Sequence, residues 1–119
     1  MTTQDYIDKI NEFKALSLPG NMVQRVDDKV TFVVGPAGMG KVNNLRELRF
    51  EKFVTCTNHT GPESFMRFIM SDVLKGGTIV FDGIDDCSPE ILQYIFDLLN
   101  DPKTSPDFRI IAVVTCKHY

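Results

Sequence analysis

A chain of 119 residues has the size of one domain and leaves no room for two. Its 43% hydrophobic and 24% charged residues exclude a disordered chain, and a core can form without staples. A net charge of −3 and a pI near 5.3 argue against broad nucleic-acid binding, although Arg46, Arg49 and Lys52 stand close enough for a local basic patch.

In chain order, residues 4–16 place Tyr6, Ile7, Ile10 and Phe13 on one face at helical spacing, with Thr2 or Thr3 to cap the start. Pro19-Gly20 breaks that helix, and "MVQRVDD" (22–28) reads as a second short helical stretch. "VTFVV" (30–34) is a β-branched and aromatic run ending at Gly35, the pattern of a fully buried strand in a parallel sheet. Leu45 and Leu48 suggest a helix opening at Lys41, and "KFVTC" (52–56) a second strand. Phe65, Phe68, Ile69, Val73 and Leu74 form a helical stripe stopped by Gly76-Gly77, and "TIVFD" (78–82) is the third strand. In "SPEILQYIFDLLN" (88–100), Ser88 suits the N-cap, Pro89 the first turn and Glu90 the positive end of the dipole. "FRIIAVVT" (108–115) is the fourth strand. The alternation predicts an α/β three-layer fold: a parallel sheet of about four strands with helices on both faces and ligands beyond the carboxyl ends of the strands.

Those ends carry the chemistry. "GPAGMGKV" (35–42) meets the pattern G-x-x-x-x-G-K-[ST] at Gly35, Gly40 and Lys41, with Pro36, Ala37, Gly38 and Met39 between them, and then breaks it at Val42. In such a loop, backbone N–H groups converge on phosphates, glycines permit the close approach and Lys41 reaches the β- and γ-phosphates. Val42 has no oxygen for Mg²⁺, so hydrolysis suffers more than binding. The plainer alternative is a glycine-rich turn joining a strand to a helix. Asp82 ends an apolar strand 41 positions after Lys41 (82 minus 41), where a Walker B aspartate would hold Mg²⁺ through water. The next position, often a catalytic Glu, is Gly83; Asp85 and Asp86 follow and would partly replace it, or form a solvated prelude to the next helix. Thr115, emerging from the fourth strand, is placed to sense a γ-phosphate.

These residues resemble the core of AAA+ ATPases. "GGTIVFDGIDDCSPEILQYIFDLL" and "FRIIAVVT" are similar to the Walker B to sensor 1 region of the σ54-activator group, and "PGNMVQRVDD" to its lead-in, over about residues 18 to 115. The resemblance implies that 35–41 bind phosphates, that Asp82 serves Mg²⁺ and that Thr115 falls at sensor 1. The loop with which σ54 activators touch polymerase is missing between strands two and three, and the expected fifth strand, arginine finger and lid do not follow within this sequence. Polymerase activation is therefore not expected from this chain alone. "FDGIDD" also resembles NACHT-type signalling ATPases, in which a small residue follows the Walker B aspartate and Asp85 or Asp86 would act.

The expectation is an N-terminal helix and lead-in (1–20) followed by a minimal P-loop domain (21–119). That domain binds ATP or ADP, with weak or uncertain Mg²⁺, and hydrolyses it weakly or not at all. It acts through a protein partner or homo-oligomer, in transcription regulation on the σ54 resemblance. The alternatives are an active ATPase core from a longer AAA+ or NACHT-like protein, and a nucleotide-free interaction scaffold. No apolar run approaches the roughly 20 residues of a membrane span and the N-terminus is not a signal peptide. Three widely spaced cysteines (56, 87 and 116) form no disulfide framework, so a reducing cytoplasm is expected. Cys56 with His59 and Cys116 with His118 have spacings seen in zinc sites; the plainer reading makes both cysteines small buried hydrophobes.

Overall fold

The computed structural model describes residues 1–38, 40, 45, 48–56 and 62–118, apart from the side chains at 62, 64 and 65. Helix α1 (Thr3–Lys14) starts where the Thr2 side chain accepts from the Asp5 amide and the Asp5 carboxylate accepts from the Thr2 amide, a reciprocal capping box. Its buried Tyr6, Ile10 and Phe13 recur every three or four residues and form one stripe. Tyr6 stacks on Phe96 and Phe13 tilts against Phe32, each pair with ring centroids 5.0 Å apart.

Strand β1 (Ser17–Leu18) is too short to leave a periodic signal and pairs in parallel with Lys117–His118. Strand β2 (Met22–Arg25) corrects the helical reading of "MVQRVDD": it runs antiparallel to β3 (Val30–Pro36), Met22 level with Val34 and Arg25 with Thr31. The physical reason is Asp27. Its Oδ1 accepts from the amides of Lys29 and Val30, both at 2.8 Å, and closes a turn that folds the lead-in back onto β3. The Tyr6 hydroxyl donates to the other oxygen of Asp27, tying α1 to that turn.

The remaining elements are β4 (Lys52–Thr55), α2 (Pro62–Lys75), β5 (Thr78–Asp82), α3 (Pro89–Asp97) and β6 (Arg109–His118). Ser88 caps α3 by accepting from the Ile91 amide at 3.3 Å, with Pro89 in the first turn as expected. The strands lie in the order β2-β3-β6-β5-β4, with β1 beside the end of β6. Strands β3, β6, β5 and β4 run parallel, but β2 makes the sheet mixed rather than purely parallel.

Alternate residues of the strands face two layers. Val30, Phe32, Val34, Val54, Ile79, Phe81, Ile110, Ala112 and Val114 join one cluster with the buried faces of α1, α2 and α3. Val33, Val80, Ile111 and Val113 form a second with Leu45, against which Leu48 and Phe53 pack. The described helices thus share one face, whereas helices on both were expected; the helix anticipated from Lys41 falls largely outside the described residues. Phe32, Phe81, Phe96 and Phe108 are fully buried, each worth about 1.5–3 kcal/mol relative to exposure.

Candidate functional site

Parallel pairing aligns the carboxyl ends of β3, β6 and β5, and the register sets what meets there. Gly35 is level with Thr115, Pro36 with Cys116, and Asp82 with Val113 on one side and Thr55 on the other. Gly35 and Pro36 are buried in the sheet, whereas Ala37, Gly38 and Gly40 are exposed. Gly38 (φ 77°) and Gly40 (φ 65°) adopt the left-handed backbone that favours glycine. A Cβ added at Gly38 would meet nothing within 4 Å, so conformation rather than crowding selects glycine there. Met39, Lys41 and Val42 lie outside the described residues.

β5 ends on the half-buried Asp82, and Gly83 turns the chain. With φ 73° and ψ 37°, Gly83 opens a short 3-10 turn, Ile84–Asp86, that Ile84 anchors in the core. The turn carries Asp85 across to β6, where its Oδ1 accepts from the Thr115 amide at 3.3 Å. Burial pushes the Asp85 carboxyl above its ordinary range; Asp86 adds to this, while its own and the Thr115 amide, and Lys14, oppose it. Of the acidic and polar residues expected from sequence, Asp85 and Thr115 are therefore in direct contact, and Asp82 ends the neighbouring strand.

One neighbour was missed. Cys56 stands just past β4, and Cys87 just past the 3-10 turn that follows the adjacent strand β5. The neighbouring Cys87 and burial, with the charges of Asp82 and Asp85, push the Cys56 thiol up. Spacing along the chain holds no such signal; only the adjacency of β4 and β5 brings the two cysteines together.

Among the described residues, no group of three or more His, Cys, Asp or Glu is placed to hold a metal ion. His59, one half of a suggested zinc pair, lies outside them. Cys116 is buried, as expected, while His118 is exposed. A cavity of about 420 Å³ lies elsewhere, over the amino ends of the strands, lined by Thr31, Thr78, Arg109, Ile111, Leu48 and Arg49 among others. No described helix is long and apolar enough to cross a membrane. No family model, no curated protein and no solved structure matches this chain.

Proposed function

We propose that this chain is a nucleotide-binding domain of the phosphate-loop type, which takes ATP or ADP by its phosphates and hydrolyses it weakly or not at all. One juxtaposition carries the reading. The glycine turn after β3 and the acidic turn after β5 leave the same end of a run of parallel strands, with Thr115 of β6 between them and hydrogen-bonded to Asp85. Carboxyl ends of this kind are where open α/β sheets hold ligands.

The residues fit the group. Left-handed glycines in an exposed turn leave room for an anion to approach the backbone, and Lys41 belongs to the same stretch. Asp82, half-buried at a strand end, is the residue that would hold Mg²⁺ through water; the ion would neutralise phosphate charge. Two features support weak hydrolysis. Val42 offers the metal no oxygen, and position 83 is committed to a left-handed turn that a glutamate would strain. Acting through a protein partner or a second subunit remains part of this proposal, because a site that holds nucleotide without cutting it does its work by contact.

Asp85 favours a second reading. A half-buried carboxylate with a raised pKa is the kind of group that serves as a general base, so an active ATPase completed by other segments would use Asp85 in place of an acid at 83.

Calorimetric titration with ATP and ADP, with and without Mg²⁺, tests the proposal. Micromolar binding that is lost in Lys41→Ala and hardly changes with Mg²⁺ supports it, and Val42→Thr is then expected to restore metal dependence. Phosphate release that is abolished by Asp85→Asn supports the second reading. No binding by the unaltered chain sinks both and leaves an interaction scaffold.

A further inference from the structure

We propose that the cavity over the amino ends of the strands binds a small organic acid, an oxyanion head carried on an apolar body. The inference does not depend on nucleotide binding, because the glycine and acidic turns leave the opposite ends of those strands.

Strand register builds the cavity. Residues two apart on a strand share a face, and so do residues level with one another across a pair. Thr31, Thr78, Arg109 and Ile111 therefore stand on the face of the second apolar cluster, the first three at or next to the start of their strands. β2 adds Val23, level with Val33, and Arg25, level with Thr31. Leu48 and Arg49 also line the space, and the Glu51 amide holds their segment beside β5 by donating to the Thr78 carbonyl at 2.8 Å. The volume of about 420 Å³ lies within the range of small-molecule sites, about 300–1,000 Å³.

The lining divides by chemistry. Val23, Leu48 and Ile111 supply an apolar wall, and Val23 is 49% exposed, so an apolar body laid there removes that surface from water. The charge is cationic. Arg25 is compensated: its Nη2 donates to Asp28 at 3.2 Å and its Nε to the Asp27 carbonyl at 3.0 Å. Lys29 borders the cavity, but its ammonium donates to the Leu99 carbonyl at 3.1 Å, and Leu99 belongs to the other face. The Glu51 carboxylate accepts from the Thr78 amide. Among the described residues, Arg49 and Arg109 form no ion pair. Arg109 is half-buried, and its Nη1 donates to the Pro106 and Phe108 carbonyls at 2.7 and 3.0 Å, which orients the guanidinium without cancelling its charge. A guanidinium fork matches an oxyanion, and beside apolar side chains the pairing is stronger than in open water. The site thus asks for both halves of one ligand: a head for Arg49 and Arg109, and a body for Val23, Leu48 and Ile111.

The test uses anilinonaphthalene sulfonate as the acidic probe and phenylnaphthylamine as its uncharged counterpart, titrated by fluorescence into the full chain. The sulfonate is expected to bind one to one, more weakly as salt rises. Arg49→Gln and Arg109→Gln are each expected to weaken it about tenfold, the size of one charge-assisted hydrogen bond, while leaving the uncharged probe unaffected. Arg49 is exposed, so its variant is expected to fold even if Arg109→Gln does not, and cooperative urea unfolding checks both. Methyl NMR of the unaltered chain with the sulfonate locates the probe, with shifts expected at Val23, Leu48 and Ile111. Shifts gathered at Met66 and Leu74, the exposed apolar side chains of α2, or at Val34 and Ala37 by the glycine turn would overturn the proposal. So would no binding, or binding indifferent to Arg49→Gln.

Discussion

Replacing Gly83 by alanine isolates the turn that delivers Asp85. With φ 73° the residue sits in the left-handed region, and an added Cβ would come no closer than 3.5 Å to Asp86 Oδ2, an ordinary contact. The cost is therefore conformational, about 1–2 kcal/mol. Two other glycines bracket it. Gly76 has φ 96° and its Cβ would fall 2.7 Å from Asp107 Cβ and 2.8 Å from Ser105 Oγ. Overpacking of about 1–3 kcal/mol then adds to the backbone strain, giving about 2–5 kcal/mol in all. Gly20 has open space and no left-handed φ, so Gly20→Ala is expected to stabilise by about 0.4–1 kcal/mol through the unfolded chain. Urea unfolding of the three variants at constant m-value reads the series directly. The expected order of stability is Gly20→Ala above the unaltered chain, then Gly83→Ala, then Gly76→Ala. If Gly83→Ala behaves like Gly20→Ala, the left-handed turn is wrong, and with it the route by which Asp85 reaches Thr115.

Asp27→Ala removes the acceptor for the Lys29 and Val30 amides and the Tyr6 hydroxyl, and should cost about 1–3 kcal/mol in urea unfolding. Burial pushes the Asp27 carboxyl up, but these three hydrogen bonds outweigh it and hold the carboxyl low. Its contribution is thus present above the unfolded value of about 3.9 and lost as pH falls through the lower folded value, a slope that Asp27→Asn should remove. Asp85 has the opposite sign. Its folded pKa is raised, chiefly by burial, so the folded state binds the extra proton and stability falls as pH rises from about 3.9 through the folded value. Asp85→Asn should flatten that slope and stabilise the chain at neutral pH, measured by urea unfolding across the acidic range. Phe96→Ala deletes a fully buried ring stacked on Tyr6 and should cost about 3–5 kcal/mol by the same assay.

Where local chemistry settled an element, the sequence could be read directly. "TIVFD" became β5 at the residues expected, because a short apolar run between Gly76-Gly77 and Gly83 has no room for a helix. α3 began at Ser88-Pro89 for reasons written in those two residues. "MVQRVDD" was misread because so short a stretch fits either period, and a side chain beyond the strand, Asp27, decides between them. On α2, Ile69 and Val73 are buried as expected, but Phe68 and Leu74 are 45% and 55% exposed; Phe68 instead offers its ring to the Lys52 ammonium, 4.9 Å from the centroid. The glycine turn and the acidic strand end were legible as motifs. The Asp85–Thr115 hydrogen bond was not, since it depends on one left-handed residue and on which strands become neighbours.

The place of β6 has a consequence for assembly. Without it the sheet falls into two ribbons, β2 with β3 and β4 with β5, each of a size that is only marginally stable in water. The strand that stitches them comes last of the six in the sequence, and its pairing of Ile110 with Val30 spans 80 positions (110 minus 30). Closing so long a loop is slow, and neither ribbon gains from the other until it is closed. While the chain is being made, the apolar residues of β3 and β5 therefore wait uncovered for Arg109–His118, and the sheet forms all at once when that strand arrives.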